Sequence, residues 1–195
     1  MKHIILMAAA STIFFAACNN GNNESKTGSD TTQSTQASAS NTPATADNQQ
    51  SASSIKGIVS SYLEMKNALA GDNDKGTAAA GDAMVTAFQQ FDKSSLTAEQ
   101  KKNYEDIESD AKEHAEHIGK NAGNIKHQRE HFDMLSKDMY ELVKTFGGGQ
   151  HLYYDHCPMY NNGKGADWIS ETKEIANPYL GKEMPTCGTV KEELK

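Results

Sequence analysis

From Ile55 to Phe146 the apolar positions recur at helical spacing. Ile55, Ile58, Val59, Tyr62, Leu63, Met65 and Leu69 fall on one broad face. Ala79, Ala80, Ala83, Met84, Ala87, Phe88 and Phe91 form a second stripe, whose small residues permit close helix approach. Tyr104, Ile107, Ala111, His114, Ala115 and Ile118 form a third, and Ile125, Phe132, Leu135, Met139, Leu142, Val143 and Phe146 a fourth. Breaks fall at Gly71-Asp72-Asn73-Asp74, at Ser94-Ser95-Leu96 and at Asn121-Ala122-Gly123-Asn124, and Gly147-Gly148-Gly149 stops the last helix. Thr97-Ala98-Glu99-Gln100 has the form of a capping box for the third helix. Four amphipathic helices on short loops predict an all-α fold, an antiparallel four-helix bundle. His151 to Gly188 is rich in Gly, Asn and Pro and holds no helical period. It is expected to be an irregular segment packed on the bundle, with one short strand allowed around Leu152–Tyr154.

Before Ile55 the pattern is different. Ile4 to Ala17 is a single apolar run, too short to span a bilayer and suited to a signal-peptide core. Asn19 to about Ser53 is Asn, Ser, Thr, Gln, Ala and Gly with almost no large apolar residue, so it cannot offset its own ordering entropy. The expected organisation is a signal peptide over 1–17, a disordered tether over 18–53 and a folded domain over 54–195. The small residues before Cys18 resemble the lipobox cut by the lipoprotein signal peptidase. That resemblance implies a lipid on Cys18 that anchors the chain to a membrane. Asn19 after it favours the outer membrane of the cell envelope, with the domain facing the periplasm.

Charge narrows the function classes. The chain has 195 residues and a net charge of −7, which argues against nucleic acid as a partner because phosphate binding needs clustered Lys and Arg. No Gly-rich phosphate loop follows a strand, and neither Gly-x-Ser-x-Gly nor His-Glu-x-x-His occurs. His156 beside Cys157 is a poor base–nucleophile pair, since adjacent side chains rarely point together. The expectation is a protein that is not an enzyme.

Two groups of residues carry candidate metal chemistry. Cys157-Pro158-Met159 and Met184-Pro185-Thr186-Cys187 pair thiols with thioethers, soft donors that select Cu(I) or Ag(I). His156 and His151 stand beside them. In an oxidising envelope the same two Cys read first as a disulfide, with Met159 and Met184 as packing residues; free buried thiols are the third alternative. The second group is His114 with His117, at i, i+3, and His127 with His131, at i, i+4. If their helices form a hairpin turning near Gly123, position 115 faces 131 and 119 faces 127, so the pairs can converge on Zn(II), Cu(II) or Ni(II). A solvated polar face with scattered His is the alternative. Arg129, at core-stripe spacing, is read as a brace for the carbonyls of the C-terminal segment, and less readily as an anion ligand.

A family resemblance rests on Gln128-Arg129-x-x-Phe132 with Ser136, on Cys157-Pro158-Met159, and on Gly165-Ala166-x-Trp168-x-Ser170. It continues through Asn177-Pro178-Tyr179-x-Gly181 and Met184-x-x-Cys187-Gly188. From about Ile55 to Leu194 the chain resembles a periplasmic domain of unknown function. That domain is found in small bacterial lipoproteins and at the C-terminal end of some adaptor subunits of copper and silver efflux pumps. The resemblance implies a bundle fold, an envelope location and a link to copper handling. It makes Cys157, Met159, Met184 and Cys187 the candidate ligands, with Trp168, Asn177, Pro178, Tyr179 and Gly181 setting shape. Here Tyr160-Asn161 stands where the Cys-Pro-Met element of heavy-metal domains usually continues with His-Pro. The expected function is therefore binding of Cu(I), or Ag(I), for buffering or delivery to a metal-efflux system. The alternative is an interaction module braced by a Cys157–Cys187 disulfide and docked on an envelope or efflux-pump partner.

Overall fold

The computed structural model describes residues 55–195. The stretches expected to be a signal peptide and a tether, with Cys18 between them, lie outside the described residues. Four long helices, α1 (Lys56–Ala70), α2 (Asp74–Gln90), α3 (Ala98–Lys120) and α4 (Ile125–Phe146), follow one another along the chain. Successive helices pack on each other, α1 on α2, α2 on α3 and α3 on α4.

The helix boundaries follow from local chemistry. Asn73 caps α2 by accepting from the Gly76 N–H at 3.0 Å. The Thr97–Gln100 capping box forms in both directions, at 3.2 and 2.9 Å. Gly147 ends α4 at a φ of 79°. The first stripe is buried throughout, and Trp168, Tyr62, Tyr104 and Phe132 are among the largest enclosed side chains. Each such burial stabilises the fold by roughly 1.5–3 kcal/mol. On α2 the stripe is shifted: Ala79 and Ala83 are exposed, and Thr77, Ala78 and Gly81 take the inner face. A run of small residues carries little periodic contrast, so neighbouring faces of that helix look alike in sequence.

The C-terminal segment is not irregular, and the fold is mostly helical rather than all-α. β1 (Leu152–Cys157), β2 (Ala166–Ser170) and β3 (Thr189–Leu194) form a three-stranded antiparallel sheet in the order β2-β1-β3. Opposite Tyr154 and Asp155 the partners step from Glu192 to Val190, so Lys191 is the extra residue of a bulge in β3, and β1 itself, with Asp155 buried, lacks the apolar alternation that would have marked it as a strand. β3 is an edge strand with mostly polar side chains, so it too lacked an apolar signal. The sheet lies against α4 and α1. Tyr62 on α1 links Ser136 of α4, at 2.8 Å, to the Ile169 N–H of β2, at 3.1 Å. Among the described residues no helix is long and apolar enough to cross a membrane.

Candidate metal centre

α3 and α4 form a hairpin through the turn Asn121–Asn124, and Gly123 takes a φ of 90° there. Asn124 caps α4 by accepting from the His127 N–H, and the Asn121 side chain donates to the His117 carbonyl at 2.7 Å. Buried Gln128 pins the hairpin to α2, its amide donating to the carbonyls of Asp74 and Ile118. The turn thus fixes the register of the two helices, and Ala111, Ala115 and Ile118 pack inward beside Phe132 and Leu135. The four histidines are left along the open edge of the seam.

All four come together. One ring nitrogen from each of His117, His127 and His131 lies within 4.8 Å of the other two. His114 joins through its Nδ1, 3.2 Å from Nδ1 of His131. The His117 and His131 rings stack at 4.4 Å with an interplanar angle of 9°, and His127 stands edge-on to His131 at 4.6 Å. Stacked rings aim their lone pairs in parallel, so a shared ion requires the exposed His117 ring to turn about χ2. Carboxylates surround the cluster: Glu130 lies 3.4 Å from His127 Nδ1, and Glu113 and Asp138 each lie 4.0 Å from Nε2 of His117 and His114.

Two of the four rings, His114 and His131, are held toward neutral imidazole. Burial, followed by the neighbouring His117, His127 and His114, pushes the pKa of His131 down to about 4. Burial also lowers that of His114. Neutral imidazole is the form that binds metal, and three such nitrogens suit Zn(II), Cu(II) or Ni(II). Asp138 was not anticipated. Burial, with Asp110 nearby, raises its pKa to about 6. Its position seven residues after His131 places it on the same helical face, a signal the sequence does carry.

The sulfur residues are brought together only in part. Cys157 is fully buried in β1, Cys187 is half-buried in the loop before β3, and their Sγ atoms stand 2.8 Å apart as free thiols. The neighbouring sulfur and then burial raise the pKa of Cys187. Met159 and Met184 are 58% and 41% exposed. His156 alternates with Cys157 along β1 and turns to the outer face of the sheet, where its Nδ1 lies 2.8 Å from the Asp167 carboxylate. His151 lies at the outer rim, 3.4 Å from Glu193.

The remaining motif residues shape the loop around Cys187. Buried Asn177 donates to the Cys187 carbonyl at 2.6 Å and accepts from the Tyr179 and Leu180 N–H groups at 2.8 and 2.9 Å. Arg129 donates to the carbonyls of Pro178 and Leu69, at 2.8 and 3.1 Å, and to Asp72 at 2.6 Å. Gly181, at a φ of 53°, leaves room for that ion pair, because a Cβ there would lie 2.0 Å from Asp72 Oδ1. Trp168 is fully buried, edge-on to Tyr179 at 5.9 Å.

No curated protein and no solved structure matches this chain. One family model does, over residues 58–151, a stretch that runs from α1 through α4 and therefore includes all four histidines of the cluster. That family is described as a protein of unknown function (DUF3347), and it is to this domain-of-unknown-function family that the helical part of the chain belongs.

Proposed function

We propose that this protein binds a transition-metal ion at the His117–His127–His131 cluster and serves as a metal buffer or carrier. In this reading the four helices act as an antiparallel bundle whose third and fourth members present the site. The observation that carries it is the convergence of three imidazole nitrogens within 4.8 Å, from two helices, on an exposed edge. Histidines gathered this closely disfavour the charged form of His131 at their centre. A cation at that point compensates all of them together. The lipobox-like sequence ending at Cys18 supports a location in the cell envelope, where such a domain could hand metal to an efflux system.

The test is a Zn(II) competition titration of the purified protein against a chromophoric chelator. One ion per chain is expected. His117→Ala with His127→Ala should lower the affinity by roughly 100-fold or more while helical circular dichroism is kept. Wild-type protein that cannot compete with a micromolar chelator would sink the proposal.

A second reading concerns Cys157 and Cys187, whose sulfur atoms are already adjacent. In reduced form they offer two thiolates to Cu(I) or Ag(I), with Met159 and Met184 nearby in sequence. Oxidised, they brace an interaction module that docks on an envelope partner. The exposure of both methionines and the outward turn of His156 favour a dithiol over a cage of five donors.

A further inference from the structure

Two neutral imidazoles cannot meet Nδ1 to Nδ1 at 3.2 Å unless one donates and the other accepts. Two assignments exist. If His114 Nδ1 carries the proton, its Nε2 turns a lone pair toward the Asp138 carboxylate, 4.0 Å away, and His131 is left with its proton on Nε2. If His131 Nδ1 carries the proton, His114 Nε2–H points at Asp138 instead. Asp138 Oδ2 is buried without a hydrogen-bond partner, so it calls for a donor on that side. The second assignment makes the Nδ1–Nδ1 hydrogen bond, aims the His114 Nε2–H at Asp138 across 4.0 Å, and frees His131 Nε2 as a lone-pair donor.

From this geometry we infer that His114 and Asp138 are not metal ligands but a positioning relay, Asp138···His114···His131, which fixes the tautomer and aim of His131. The inference rests on the metal-binding reading above. The ion then has three protein nitrogens, from His117, His127 and His131, and keeps a fourth position open to water or to an incoming ligand. Three protein ligands and an open position are the arrangement of exchangeable and reactive centres, whereas closed four-ligand sites are structural. A carboxylate behind a histidine raises its basicity and holds its ring, so removing it weakens metal affinity without changing the ligand count.

Cu(II) electron paramagnetic resonance on the full-length chain separates the cases. Its g∥ and A∥ distinguish three-nitrogen, one-oxygen coordination from four-nitrogen coordination. The wild type should give the three-nitrogen signal, and His117→Ala should lose one nitrogen. His114→Gln and Asp138→Asn should keep the three-nitrogen signal while Zn(II) affinity falls about 10–100-fold. Loss of a nitrogen, or of the whole signal, in His114→Gln would make His114 a ligand and overturn the relay. So would Zn(II) affinity within twofold of wild type in Asp138→Asn, a near-isosteric substitution of a side chain whose Oδ2 has no hydrogen-bond partner to lose. Failure of the metal-binding reading itself looks different: the wild type then binds neither ion.

Discussion

Asp155 shows how much one side chain can set against the fold. It is fully buried on β1, and neither carboxylate oxygen has a hydrogen-bond partner. Burial raises its pKa to about 7, against the opposing pull of the Lys66 ammonium. An acid whose folded pKa lies above its unfolded value favours folding only while protonated. Its contribution is therefore complete below about pH 4 and is lost as pH rises through 7, a change on the order of a few kcal/mol. His131 has the opposite sign. Its pKa is lowered to about 4, so its contribution is present above the ordinary histidine range and is lost as pH falls from there through 4. The two oppose one another over much of this range, and the wild-type profile alone mixes them. The informative quantity is the difference between wild type and Asp155→Asn in urea denaturation at pH 5 and pH 8. The variant should gain stability relative to wild type at pH 8. Parallel profiles would mean that Asp155 stays ionised throughout. Little in the sequence marks this residue, because the Leu-Tyr-Tyr-Asp-His-Cys run of β1 has no apolar alternation to show that Asp155 faces the core.

At the scale of elements, α2 and α3 meet at Gly81 and Gly119, and the two glycines are not equivalent. A Cβ on Gly81 would lie 2.8 Å from the Ala115 carbonyl oxygen and 2.9 Å from the Gly119 nitrogen, both backbone atoms that can yield only if a helix moves. A Cβ on Gly119 would meet Asp82 Oδ1 at 2.4 Å, the end of a flexible side chain. Gly81→Ala should therefore destabilise by about 1–3 kcal/mol through overpacking, despite the better helix propensity of Ala. Gly119→Ala should be close to neutral, and chemical denaturation of the pair checks the asymmetry; equal effects would mean that the helices are not in close contact there. This crossing sets the position of α3, and with it His114 and His117. The helices themselves were legible because their apolar faces repeat over four or more turns and three of their four N-termini carry side-chain caps. The convergence of the histidines was legible as a conditional, since a hairpin turning near Gly123 places the pairs opposite each other. The sheet was not. β1 buries an Asp, β2 is a short run after a turn in which Asn161 and Asn162 take positive φ, and β3 is bulged and polar at the edge. None of the three repeats long enough to outweigh the Gly, Asn and Pro around it.

For the whole molecule, the question is what joins the two ends of the C-terminal segment, from β1 across to the loop before β3. Arg129, Asp72 and Asn177 gather the loop by hydrogen bonds, and each of those contacts can be exchanged for water. The Cys157–Cys187 pair is the one place where a covalent link could replace them, and it joins residues 30 apart in sequence. Closing a loop of that length restricts the unfolded chain by about 3–4 kcal/mol in the chain-entropy model. Oxidised protein should therefore unfold at higher urea than the same protein with reductant, by an amount that Cys157→Ser with Cys187→Ser removes. The double variant should also behave alike with and without reductant. Cu(I) competition on the two redox forms completes the test, because a cystine has no thiolate to offer. One Cu(I) taken up by the reduced form alone would make oxidation an off-switch for a sulfur site distinct from the histidines. Equal stability of both forms, with no Cu(I) uptake by either, would leave the thiols as packing residues. The histidines of the helical hairpin would then be the one proposed metal site left among the described residues.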